Sequence, residues 1–283
     1  MKITNVGTDP EFILKKNDKY LCAIPFLGGA SKSNPFPITG SQGHIIEGFA
    51  FMHDRALVEF NQPPTMDLNE FKTHLKFAQD SILKLVNSDF SKEGDIVISK
   101  DASAYFDWEE LLDPAAIEIG CVPSWNAWTN KQNEIPDVSN TNLQAAGMHF
   151  HLEVDQLDYH QMICAVRAMD LFLAVPAVIL DTDIHRKSLG YGTAGAFREM
   201  IDKNRFEYRV LSNFILFNED YLDFMWGQLF KAVDFVNENE IIQGQLGEDI
   251  QKCINNSDMG LANKLIEQFK IELPVWQEQK VLV

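Results

Sequence analysis

Apolar positions in this chain recur at two spacings, and the change between them divides it. Up to about residue 215 they form short runs typical of strands and turns; beyond that they fall at helical intervals. Ile3–Lys15 predicts one strand, followed by a turn-rich stretch over 28–43 and a second strand over Ala56–Asn61, closed by Pro63 and Pro64. Leu68, Phe71, Leu75, Ala78, Ile82, Leu83 and Val86 share a helical face, so Asp67–Val86 predicts a helix capped by Asp67. Asp95–Ser99 and Ala116–Cys121 read as short strands. The polar connection Pro123–Asn142, with Trp125 and Trp128, has the length of a functional lid. Ala145–Val154 predicts a strand, Leu157–Leu180 a largely buried helix, Asp181–Thr193 a polar loop, and Phe206–Leu211 a strand. Tyr221–Val236 and Met259–Phe269 are helical in pattern. The expected fold class is α+β, a single domain over 1–283 with a sheet-rich part to about 215 and a helical part after it.

Composition narrows the class. The 283 residues are 46% hydrophobic and 23% charged, as in a globular protein with a buried core. The net charge of −17 argues against nucleic acid, whose phosphates are bound by basic surfaces. It leaves room for a nucleotide held through metal ions. Cys22, Cys121, Cys164 and Cys253 are scattered, which fits neither a zinc knuckle nor a disulfide framework and favours a reducing, cytoplasmic setting. The longest apolar run, Leu171–Leu180, is about half of the ~20 residues a membrane span needs, so no membrane partner is expected.

Four strand candidates carry polar residues two apart: Asp9 and Glu11, Glu59 and Asn61, His149 and His151, Glu207 and Arg209. Residues two apart on a strand project onto one face. Taken singly, an Asp-x-Glu pair is commonly an exposed face, a His-x-His pair serves packing as often as metal binding, and Glu207 with Arg209 reads as a salt bridge. Taken together, they crowd carboxylates and imidazoles in a way that divalent cations would neutralise, and such ligands suit Mg2+ or Mn2+ beside phosphate. Arg198, Arg205 and Arg209 are the cations available to phosphate or carboxylate oxygens. Gly7 and Gly147 suit tight strand entry or close backbone approach. Asp54, Arg55, His44, His53, His160 and His185 carry little signal alone.

At these motifs the chain resembles the glutamine-synthetase-like carboxylate–amine ligases. Gly7-Thr-Asp-Pro-Glu-Phe-Ile-Leu14, Gly147-Met-His-Phe-His151 and Arg205-Phe-Glu-Tyr-Arg209 are similar, in the same order, to that superfamily's G-x-E-P-E-F-F-L, G-M-H-x-H and R-x-E-x-R strands. Val58-Glu-Phe-Asn-Gln-Pro-Pro64, Gly120-Cys-Val-Pro123, Tyr191-Gly-Thr-Ala-Gly-Ala-Phe-Arg198 and Phe206-Glu-Tyr-Arg-Val-Leu-Ser-Asn213 resemble more narrowly the phage-associated amidoligases, the type-2 COOH–NH2 ligase family. The likeness runs from about Gly7 to Asn213. Gln144 and Glu153 stand where those relatives commonly carry Arg and Gly.

The resemblance implies a curved antiparallel sheet with helices on its convex side and ATP with Mg2+ or Mn2+ in the concavity. Glu11 and Glu59 would hold one ion; Asp9, His149 and Glu207 would hold the other. His151 and Arg205 would lie near the nucleotide, while Arg209 and Arg198 would serve the transferring phosphoryl group or the substrate carboxylate. The implied reaction joins the carboxylate and amine of small-molecule or peptide substrates through an acyl phosphate. Two other readings stay open from the residues: a metal-dependent hydrolase without ATP, and a non-catalytic binding protein of the same fold.

Overall fold

Pro10 divides the first expected strand. It has no N–H to give to a ladder, and at that point the chain leaves one sheet for another. The computed structural model describes residues 1–39, 44–88, 95–118, 123–134, 138, 140–239 and 241–274. In it the span Ile3–Lys15 becomes three strands in three sheets: β1 (Ile3–Thr8), β2 (Glu11–Phe12) and β3 (Leu14–Lys16). Asp9 and Glu11 therefore do not share a strand face; they sit on either side of a junction.

β4 (Lys19–Leu21) returns along β3. The turn-rich stretch contains β5 (Phe36–Thr39), and β6 (Ile45–Asp54) and β7 (Leu57–Asn61) complete a meander with it. Helix α1 (Leu68–Val86) starts where expected, with the Asp67 carboxylate accepting the Glu70 N–H at 2.9 Å. β8 (Val97–Ile98) and β9 (Ser103–Tyr105) follow. The strand expected over Ala116–Cys121 is not formed in its described part. Asp113 caps a 3-10 turn over Pro114–Ala116, and residues 119–122 lie outside the described ones. The expected lid region instead contains a hairpin, β10 (Trp125–Asn126) and β11 (Lys131–Gln132), that extends the main sheet.

The strand expected over Ala145–Val154 is split into β12 (Leu143–Ala145) and β13 (Phe150–Val154), in different sheets, with Gly147 between them bridged to Ser212. The long helix is α2 (Tyr159–Met169), a π-helical turn over Asp170–Ala174, and α3 (Val175–Leu180), whose first turn holds Pro176. β14 (Ala196–Met200), not expected from the pattern, precedes β15 (Arg205–Tyr208). Helices α4 (Glu219–Glu238), α5 (Gly244–Asn256) and α6 (Met259–Gln268) close the described chain. The fold is mixed α and β with antiparallel sheets, in keeping with α+β.

The main sheet runs β1-β13-β15-β14-β10-β11, and a four-stranded sheet runs β2-β7-β6-β5. Alternation along β13, β14 and β15 puts Phe150, Leu152, Phe197, Phe206 and Tyr208 on one face, all fully buried. That face packs on helices: Phe71 of α1 lies 6.5 Å from the Phe150 ring and 4.9 Å from that of Trp226 on α4. Burying each such ring stabilises the fold by about 1.5–3 kcal/mol. The same hydrophobic cluster includes Ile3 and Ile271, so the C-terminal helices share the core of the sheet. The helical stretch Tyr159–Leu180 is 22 residues long and apolar enough to cross a membrane, longer than the run Leu171–Leu180 within it. Here 78% of its most apolar window is buried inside the protein.

A fully buried carboxyl group also lies in this core. Asp170, in the π turn, accepts from Tyr208 Oη at 2.8 Å and from Trp128 Nε1 at 2.6 Å, which ties the helix to β15 and to the β10–β11 region. Burial lifts its carboxyl to about 7, against the two donors that favour the charged form. A carboxyl raised in the folded state contributes most below its unfolded pKa, near 4, and loses that contribution as pH rises to about 7. Asp170→Asn should flatten the slope of unfolding free energy with pH across that window, by about 1.4 kcal/mol per pH unit. Parallel denaturant titrations of both proteins from pH 4 to 8 would measure the difference; equal slopes would contradict it.

Candidate functional site

Four positions line up across the polar face of the main sheet: Gly7 of β1, His151 of β13, Glu207 of β15 and Arg198 of β14 are successive register partners. His149, just before β13, and Arg209, just after β15, join them. Asp9 follows β1 directly and turns its carboxylate onto both imidazoles. His149 Nδ1 lies 2.9 Å and His151 Nε2 3.3 Å from Asp9 Oδ1, and His149 Nδ1 lies 3.3 Å from Glu207 Oε1. Arg198 Nη1 reaches Glu207 Oε2 at 2.8 Å, and Arg209 Nη1 donates to Glu207 Oε1. Asp9, His149 and Glu207 each offer a ligand atom within 4.8 Å of the other two, all three buried.

A second group forms across the sheet junction. Glu11 of β2 is the direct register partner of Glu59 of β7, and both are buried. Like charges directly opposite on a ladder destabilise it. Asp54, the last residue of β6, adds a third carboxylate, and the ligand atoms of Glu11, Asp54 and Glu59 again lie within 4.8 Å of one another. Lys32 Nζ reaches Asp54 Oδ2 at 2.6 Å and Glu59 Oε2 at 3.0 Å, in the manner of a cation. Asp54 and Lys32 were not anticipated. The signal for Asp54 was present: a two-residue turn at Arg55-Ala56 pairs Asp54 with Leu57 and Met52 with Glu59, which puts Asp54 on the face of Glu59. Lys32 comes from a turn distant in sequence and left no such trace.

The two groups differ in electrostatic balance. Burial opposes the charge of Asp9, yet the imidazoles of His149 and His151 hold its carboxyl well below the ordinary range. Glu207 is depressed too: burial and Asp9 push it up, and Arg209 with the two histidines outweighs them. Burial, aided by Arg209, lowers His149 and keeps its imidazole neutral, the form that binds metal. His151 is raised; burial acts against its charge, and Asp9 overcomes it. In the second group the carboxyls rise. Burial, with repulsion from Asp54, lifts Glu11 to about 8 despite Lys32, and burial with Asp9 holds Glu59 well above its usual value. The first group is neutralised by its own cations; the second takes up protons.

The other sequence candidates fall close by or outside. Arg205 shares the Glu207 face, but its Nη2 sits 2.9 Å from Met200 Sδ. Asn61 is exposed and paired with Ala50. Arg186, which pattern did not single out, is buried, donating from Nη1 to Val210 O at 2.7 Å and from Nη2 to Leu211 O at 2.9 Å. A small cavity of about 30 Å³, partly open to solvent, is lined by Glu11, Asp54, Arg55, His149, Arg186 and Arg209, among others.

Gly147 joins the two groups. Its N–H donates to Glu11 Oε2 at 2.7 Å, and its carbonyl accepts the Glu11 N–H at 3.0 Å. A Cβ there would lie 2.9 Å from His149 Nε2 and 3.5 Å from Glu11 Oε2. Gly7, by contrast, has room for a methyl group, since its Cβ would meet His151 Cβ at an ordinary 3.6 Å. Gly147→Ala should therefore displace the His149 ring and, if the groups hold Mn2+ as their donor set suggests, weaken its binding by about 10–100-fold, the range for disturbed ligand support. Gly7→Ala should leave binding within about threefold. Titration of both variants by Mn2+ electron paramagnetic resonance checks this; equal affinities for Gly147→Ala and the parent chain would contradict it.

No family model matches this chain and no curated protein matches it, so what the site can do rests on its geometry and on the sequence motifs alone.

Proposed function

We propose that this chain is an ATP-dependent carboxylate–amine ligase with a glutamine-synthetase-like fold. The observation that carries the reading is the meeting, across one sheet junction, of two three-ligand groups: Asp9–His149–Glu207, all buried, and Glu11–Asp54–Glu59, in which only Asp54 is half-buried. Five carboxylates and one imidazole form a hard donor set that suits Mg2+ or Mn2+. The helix-backed main sheet with a charged opposite face supports the fold assignment. Divalent ions bound there would neutralise phosphate oxygens during phosphoryl transfer.

The chain's own residues supply the rest. His149, neutral and close to Asp9 and Glu207, is the nitrogen ligand of the first group. His151, beside Asp9 and raised by it toward the charged form, would add positive charge near the nucleotide phosphates. Arg198 and Arg209 are held by Glu207, which fixes both guanidinium groups where phosphoryl or carboxylate oxygens would develop charge. In the reaction a carboxylate oxygen bonds to the γ-phosphorus of ATP as ADP leaves. The amine nitrogen then bonds to the acyl carbon, phosphate departs, and the nitrogen loses a proton. A free carboxylate lacks a competent leaving group, and phosphorylation provides one.

ADP formation in Mg2+, measured over a panel of acids and amines, tests the reading. Release that requires both an acid and an amine is expected, and Glu207→Gln should lower it more than about 100-fold by removing a ligand and the anchor of two arginines. A reaction that proceeds without nucleotide would point to a metal-dependent hydrolase. No turnover and no ATP binding by calorimetry would overturn the ligase reading.

A further inference from the structure

Arg55 occupies the turn between β6 and β7 with φ +54°, in the left-handed region. A residue other than glycine or asparagine is strained there. In this two-residue turn only the first central residue is left-handed, a position that favours glycine, and Arg55 stands there. Local sequence preference is overridden at this point, as happens at functional sites.

The side chain is only 6% exposed, and its Nε and Nη2 make no hydrogen bond to any described residue. No ion pair joins Arg55 to Glu11 or Asp54 among the described residues, although all three line the same cavity. A buried charge without a partner is strongly unfavourable. The other two guanidinium groups of that cavity already hold acceptors: Arg186 the carbonyls of Val210 and Leu211, Arg209 the carboxylate of Glu207. The two orphaned donors of Arg55 lie on one edge of its guanidinium plane, where their N–H bonds run side by side. Such an edge matches a pair of oxygens on one carbon or phosphorus.

We propose that Arg55 binds an oxyanion through its Nε–Nη2 edge, at the wall of the metal cavity. The preferred ligand is the planar carboxylate of the acid substrate, whose two oxygens fit the edge; the γ-phosphate of a nucleotide offers the same chemistry. The assignment rests on the ligase reading for which oxyanion arrives, whereas the binding itself needs no nucleotide. Arg55 is then a binding residue, and the turn's unfavourable backbone is retained because it delivers the guanidinium into the cavity.

Nitrogen–proton correlation spectra of the arginine Nε–H groups in the full chain, titrated with sodium acetate against chloride of equal ionic strength, test the proposal. The Arg55 resonance is expected to shift and saturate with acetate. Arg55→Lys keeps the charge but loses the two-donor edge, and should weaken acetate binding about tenfold. Thermal unfolding gives a second readout: acetate should raise the Tm of the parent chain and leave Arg55→Met unmoved. Without acetate, the Met variant should be at least as stable as the parent, because an unpaired buried charge has been removed. Adding Mg-ATP first separates the sources. If acetate still shifts Arg55, the ligand is a substrate carboxylate; if Mg-ATP alone saturates it, the ligand is the γ-phosphate. An Arg55 resonance unmoved by acetate, inorganic phosphate and Mg-ATP, or equal acetate affinity in Arg55→Lys, would overturn the proposal. Failure to bind nucleotide would count against the ligase reading and leave the acetate result readable.

Discussion

Two buried carboxylates, Glu11 and Glu59, face each other across adjacent strands, and much of the site is arranged around that opposition. Left to themselves they would repel and take up protons, and the elevated Glu11 and Glu59 carboxyls record that tendency. Three features hold them in place. Pro10 ends one strand so that Glu11 can begin another in a different sheet. The Gly147 N–H takes one Glu11 oxygen. Lys32 spans Asp54 and Glu59 from a distant turn. The carboxylates of the first group, Asp9 and Glu207, are balanced within the protein by imidazole and guanidinium groups. The asymmetry means that one half of the site is electrostatically complete and the other calls for added positive charge.

The rest of the fold keeps these groups in register. The apolar face of the main sheet buries Phe150, Phe206 and Tyr208 against helices, so the strands that bear His151 and Glu207 cannot slip without exposing aromatic rings. Tyr208, between Glu207 and Arg209 in sequence, is tied from behind by Asp170. A residue in the middle of a helix thus fixes the strand that carries a metal-ligand candidate.

Much of this was legible in the chain. The period-two spacing of His149 with His151 and of Glu207 with Arg209 correctly put each pair on one face, because a strand enforces that geometry. The Asp9 and Glu11 pair obeyed the same spacing for a different reason: Pro10 moves them into separate sheets, and they approach the site from two sides. The α1 boundaries and the Asp67 cap followed from local chemistry, which tertiary packing did not override. The hairpin of β10 and β11 was hidden because its strands are two residues each, and β14 because Arg198 and Glu199 break its short apolar run. Lys32 and Arg55 were illegible for a related reason. Each acts from a turn, where no periodicity marks the side chain; Asp54, at a strand end, is legible once the turn fixes the register of β6 with β7.

Calorimetric titration of the chain with Mn2+ between pH 6 and 9, in buffers of different ionisation enthalpy, tests the central claim most directly. Two ions per chain are expected. The first should bind without proton release, because Asp9 and Glu207 are already ionised and His149 is neutral. The second should displace protons from Glu11 and Glu59, so its affinity should rise with pH and level off above about 8, where Glu11 titrates. A single ion, or a second whose affinity is unchanged from pH 6 to 9, would contradict the account.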